Sequence, residues 1–205
     1  MKTKLEQSIH CMILAPLAPL ALFLGGWWLA YSILPEKLIP LGALFGLVLG
    51  LVADIPLLRR WFGKVNALGD VFWITAFLFY SIGIFGFFMG VPVFNLALAI
   101  PAGFVLGSRL ADQRADETRL HSVMRQTAGF TTSILALICM ASAIIALVDP
   151  YTASSLQGML GLPFDVTRGM VVWLIAIGGS TLLILNWLLT LASVRFTYKF
   201  LKPEA

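Results

Sequence analysis

Apolar residues in this chain fall in long runs with almost no charge. They show neither the alternation of half-buried strands nor the single apolar stripe of a soluble helix. Six such runs can be read: Cys11–Leu34, Leu38–Leu58, Val71–Met89, Val91–Ser108, Thr127–Val148 and Met170–Val194. Each is close to the ~20 residues that a helix needs to cross a hydrocarbon core. Only the second contains a charge, Asp54. The pattern predicts an all-α integral membrane protein, a bundle of six transmembrane helices forming a single polytopic domain over residues 1–205.

No charge interrupts the stretch from Val71 to Ser108. A single helix of that length would extend about 57 Å, nearly twice the ~30 Å core. Gly90 and Pro92 offer a break, because glycine accepts unusual backbone angles while proline lacks a donor and restrains its predecessor. A tight hairpin between the third and fourth helices, turning near Met89–Pro92, is therefore expected.

That hairpin also fixes the charge distribution. With it, Lys2, Lys4, Arg59, Arg60, Lys64, Arg109, Arg114, Arg119, Arg125, Arg195, Lys199 and Lys202 share one side, and only Lys37 and Arg168 take the other. The positive-inside rule assigns the rich side to the cytoplasm, which predicts cytoplasmic termini and a location in the cell (inner) membrane. Aromatic residues follow the same frame. Trp27, Trp28, Tyr31, Tyr151 and Trp173 fall at the outer interface, and Trp61, Trp73 and Tyr198 at the inner one. The retained run after Lys2 and Lys4 reads as a first helix rather than a removed leader.

Composition agrees. Hydrophobic residues make up 60% of the 205 and charged residues 12%, about half the charge of soluble domains. The net charge of +4 does not indicate nucleic acid, because the basic residues cap helix ends and form no tract. Cys11 and Cys139 differ in depth by roughly 14 Å on this topology, too far for a disulfide. The Asp149–Gly169 connection, with Met159, Leu160, Leu162 and Phe164 in its middle, is mildly apolar and suits a membrane surface. Arg109–Gln126 reads as helix extensions whose Glu117, His121 and Arg125 share a solvated face.

Small residues mark the packing faces. Gly42, Gly46 and Gly50 on the second helix, and Ala99, Gly103 and Gly107 on the fourth, recur every four residues, so each set lets another backbone approach closely. Two polar groups sit deeper than the rest. Asp54 follows Gly50 by four, about 24 Å along its helix, and Asn186 lies at comparable depth on the sixth. Ser108 and Thr131 belong to the same inner layer. A carboxylate inside a span either reaches interfacial water, pairs with Arg59 or Arg60, or serves a proton, cation or substrate. A buried amide needs partners, so Asn186 is expected to face other helices. Asp54, Asn186, Ser108 and Thr131 are the candidate ligand-binding residues of a cytoplasm-side polar pocket.

Catalytic inventories are incomplete. His10 and His121 lie at or beyond the cytoplasmic edge, Ser180 has no base, and Asp54 and Asp70 have no acidic companions. No zinc-ligand pairing, phosphate-binding glycine loop or potassium-filter motif is present. No catalytic residue, metal or cofactor is expected. The expected partners are membrane lipids and other membrane proteins or a second copy of the chain. The leading functional reading is a transporter or a substrate-binding transporter subunit. The alternatives are a non-catalytic scaffold acting through the glycine faces, and a lipid-modifying enzyme with His121 or Asp70 at the inner interface.

Overall fold

The computed structural model describes residues 2–61, 65 and 68–202, with backbone alone at 2, 3, 159 and 160. Lys64 lies outside the described residues, as do the Lys2, Met159 and Leu160 side chains. The described residues form eight α-helices: α1 (Lys2–Leu14), α2 (Leu17–Ile33), α3 (Ile39–Trp61), α4 (Asp70–Phe87), α5 (Ala99–Asp112), α6 (Glu117–Val148), α7 (Thr152–Leu160) and α8 (Arg168–Leu201). Short 3₁₀ segments precede α3 and α5, and the described residues include no strand.

Among the described residues, six helical stretches are long and apolar enough to cross a membrane: Lys4–Ile33, Glu36–Trp61, Asp70–Phe87, Pro92–Asp112, Glu117–Val148 and Arg168–Leu201. Five of them outrun the charge-free runs by three residues or more. Helices continue past the first charge because side chains such as Lys4, Glu117 and Arg195 are exposed while the backbone stays hydrogen-bonded. The surface agrees with an apolar solvent. Phe45, Val71, Ile82, Val148, Trp173 and Phe196 are all at least 60% exposed, more apolar display than a soluble monomer tolerates.

The chain divides into two compact units, Met1–Ala76 and Phe77–Ala205, with the boundary inside α4. In the first, α2 and α3 pack backbone to backbone through glycine. A Cβ on Gly26 would lie 2.5 Å from the Gly42 carbonyl oxygen, and one on Gly50 would lie 2.8 Å from Pro19 N and 2.9 Å from Ala18 O. A Cβ on Gly46 would strike the Leu22 carbonyl. α1 and α2 are separated at Ala15–Pro16, where Pro16 cannot donate to the preceding turn.

In the second unit, α8 is the central element. α5 meets it through Gly103, whose added Cβ would lie 2.6 Å from Ser193 Oγ, and Gly107, whose Cβ would lie 2.7 Å from Val194 O. Ser193 Oγ donates to the Ile100 carbonyl at 2.8 Å across the same seam. Leu110, Ala111, Ala115, Leu120, Met124, Val194 and Tyr198 form a buried cluster below. The Tyr198 hydroxyl reaches the Ala115 carbonyl at 2.6 Å.

α4 stops at Phe87, and the backbone turns left-handed at Met89 (φ 52°) and Gly90 (φ 81°). Pro92 then opens a 3₁₀ segment that runs into α5. Asn95 Nδ2 donates to the Ser81 carbonyl at 2.8 Å, and Phe88 stacks on Phe94 with centroids 3.8 Å apart. On the other side of α5, Arg114 takes φ 47° and Asp116 caps α6 by accepting from the Arg119 amide at 3.2 Å.

Candidate functional site

The candidate residues fall in different units. Asn186, Thr131 and Ser108 belong to the second, and Asp54 belongs to the first.

In the second unit, Asn186 on α8 is 2% exposed. Its Nδ2 donates to Thr131 Oγ1 at 3.2 Å and Thr132 Oγ1 at 3.1 Å on α6. Thr131 Oγ1 lies 3.0 Å from Thr190 Oγ1, and Thr190 Oγ1 donates to the Asn186 backbone carbonyl at 2.8 Å. Proton assignment follows from the last bond. Thr190 gives its hydrogen to the carbonyl, Asn186 donates to Thr131, and the Thr131 hydroxyl has both Thr190 Oγ1 at 3.0 Å and the Ala128 carbonyl at 3.3 Å within donating reach. The result is a closed ring running from the Asn186 amide through two hydroxyls to the Asn186 carbonyl. Bonds in such a ring polarise one another, and the ring ties α6 to α8 where apolar packing alone would leave register free. Ser108 is fully buried on α5, and its hydroxyl donates to its own helix at Val105 O, 3.0 Å away.

The first unit is different. Asp54 is 7% exposed, and its Oδ1 is buried with no hydrogen-bond partner. No ion pair joins it to Arg59 or Arg60 among the described residues. The expected pairing with Arg59 or Arg60 is not formed, and one of the two carboxylate oxygens is buried. The cause is its placement. Asp54 continues the Gly42–Gly46–Gly50 face one turn further, on the side of α3 that packs against α2. A carboxylate at the centre of a span costs about 2.5–3.5 kcal/mol even on lenient scales, and one nearer the helix end, as Asp54 is, costs less. The surrounding fold tolerates that cost without supplying a donor to Oδ1.

Other polar groups in this unit were less visible in the sequence. His10 is 1% exposed and Glu6 7%, and they share one α1 face with Leu14. His10 Nδ1 donates to the Glu6 carbonyl at 3.0 Å, and its ring sits 5.9 Å from that of Trp73. Trp73 Nε1 is buried without a partner. The signal was the Glu6, His10, Leu14 spacing of four, hidden because charged residues near a chain end read as an interface. An open groove on the opposite side of α1 is lined by Ser8, Cys11, Met12, Ala15, Leu58 and Arg59.

His121 and Glu117 face each other at 3.9 Å, with side chains 57% and 69% exposed, and so lie on a solvated surface. Among the described residues no three of His, Cys, Asp and Glu converge on a possible metal position. Compared with protein families, curated proteins and solved structures, the chain matches none.

Proposed function

We propose that this is a small multi-pass transport protein, or the substrate-binding subunit of a transporter, with Asp54 as its principal ligand group. The supporting observation is the Asp54 carboxylate itself, buried in an apolar span with an oxygen that no donor serves. Intramembrane acids with no structural partner are the usual mark of an ion or substrate pathway. Asn186 and Thr131, whose polar atoms already satisfy one another, contribute to the reading as a rigid element rather than as ligands.

The reading includes an orientation. Both termini are cytoplasmic, in the cell membrane, supported by the twelve-to-two division of basic residues. The third and fourth spans form a hairpin turning at Met89–Pro92, supported by the left-handed pair and by the Asn95–Ser81 bond. Asp54 then lies toward the cytoplasmic side. The scaffold alternative gains nothing from the glycine faces, since both are filled within their own units.

Native mass spectrometry of the gently extracted protein tests the function. A small molecule that travels with the wild type and is lost from Asp54→Asn is expected. A stoichiometric protein partner with no small molecule would favour the scaffold instead. Orientation is tested by a membrane-impermeant maleimide in a background with Cys11 and Cys139 replaced by alanine. Ser155→Cys should react on intact cells and Gln113→Cys only after permeabilisation; the reverse pattern would invert the topology.

A further inference from the structure

Lys4, Ser8, Cys11, Met12 and Ala15 recur at intervals of three and four along α1, so they share one face of it. From Ser8 onward this face forms one wall of the open groove, and Leu58 and Arg59 of α3 form the other. Glu6, His10 and Leu14, on the opposite face of α1, are buried. The helix is held by that face and leaves this one open. Met12 is 75% exposed inside a stretch long and apolar enough to cross a membrane. The groove therefore opens sideways onto lipid rather than onto water.

Its chemistry changes along its length. Cys11, Met12, Ala15 and Leu58 offer thiol, thioether and alkyl groups. The α2–α3 seam is antiparallel, since Gly26, Leu22 and Pro19 meet Gly42, Gly46 and Gly50 in turn. α3 thus runs on past the start of α2 beside α1, carrying its last turn, with Arg59 and Arg60, toward the start of α1. Ser8 Oγ donates to the Lys4 carbonyl at 2.9 Å, so the strong donors at this rim are the cationic groups of Arg59 and of Lys4, one turn before Ser8. Both residues are exposed. No carboxylate pairs with either among the described residues, and both are open to an external anion.

A guanidinium binds phosphate oxygens through paired, charge-assisted hydrogen bonds. An apolar floor that ends in cations with no acidic partner, open to the bilayer along its side, is complementary to a lipid with a negative headgroup. Basic residues at a membrane surface attract such lipids diffusely; a groove adds a place for the chain. We propose that the α1–α3 groove seats one anionic phospholipid, with its phosphate on Arg59, Lys4 in support, and an acyl chain along Met12, Ala15 and Leu58. The seat stands apart from the transport reading and requires neither a substrate nor Asp54.

The test is native mass spectrometry of the full chain, reconstituted in vesicles of equal parts phosphatidylcholine and phosphatidylglycerol and then gently extracted. The wild type should retain one phosphatidylglycerol per chain in clear preference to phosphatidylcholine. Arg59→Gln should lower that occupancy about fivefold, the effect of one basic group at a membrane surface. Arg195→Gln, an equally exposed cation on α8 away from the groove, should leave it unchanged. Ala15→Phe fills the floor and should displace the lipid with Arg59 intact. Retention of the two lipids alike, or of neither, would overturn the proposal. So would an equal loss in Arg59→Gln and Arg195→Gln, because the basic side as a whole would then be the binder. Undiminished retention in Ala15→Phe would remove the groove from the site and overturn the seat as proposed.

Discussion

The two units solve the same packing problem and treat their polar groups in opposite ways. Each joins two helices through small residues four apart, Gly42, Gly46 and Gly50 in one, Gly103 and Gly107 in the other. The second unit encloses Asn186, Thr131 and Thr190 in a ring where every donor meets an acceptor. The first encloses Asp54 with an oxygen that nothing serves and Trp73 with an unserved N–H. Asn95 Oδ1 is an exception in the second unit, but its Nδ2 is engaged. A buried polar group with all partners present is explained by the stability and register it gives. One without partners is tolerated at a cost, and that cost points to a task beyond folding.

The sharpest way to disturb this comparison is to break a seam. Gly46→Leu forces a side chain into the Leu22 backbone, which has no rotamer with which to yield. A loss of about 3 kcal/mol, the upper part of the overpacking range, is expected, read as a collapse of folded protein in detergent unfolding. Gly107→Leu meets the Thr197 side chain as well as Val194 O, and part of that contact can shift. Its loss should be smaller, about 2 kcal/mol, in the same assay. Equal effects would mean that the seams yield alike. Within the ring, Thr190→Val keeps the shape and removes the middle link, at about 0.6–1.7 kcal/mol as for interhelical hydrogen bonds in membranes. His121→Ala, on the exposed face with Glu117, should change stability by less than about 0.5 kcal/mol. A larger effect would show that this face is covered.

Much of this architecture is written in run lengths. Six apolar segments, separated by charge except at the Gly90–Pro92 break, read as six helices, because a bilayer admits no other open-chain solution. The spacing of Gly42, Gly46 and Gly50 announces a close approach, but not its partner. Those glycines meet α2, and Gly103 and Gly107 meet α8, pairings that depend on which neighbours the connections allow. Run lengths understate helix ends, because a charge such as Glu117 terminates an apolar run without terminating a helix. Run lengths also hide the break at Ala15–Pro16, because two prolines in an apolar run leave hydropathy unchanged while removing two amides. At the site, the sequence marked Asp54 and Asn186 equally. Residue type alone does not say whether partners are present. Asn186 finds Thr131 and Thr132 because all three share the α6–α8 contact, whereas Asp54 lies on a seam made of glycine, proline and alkyl groups with no donor to offer.

The most direct test compares the two marked residues in one experiment, the free energy of unfolding of Asp54→Asn and Asn186→Leu in the same detergent. Asn186→Leu removes the ring's only amide and should lose about 1–2 kcal/mol. Asp54→Asn replaces an unserved carboxylate with a neutral amide and should hold or slightly raise stability. If Asp54→Asn instead destabilises as much as Asn186→Leu, the carboxylate has a structural partner, and the division between a tied unit and a poised one is wrong.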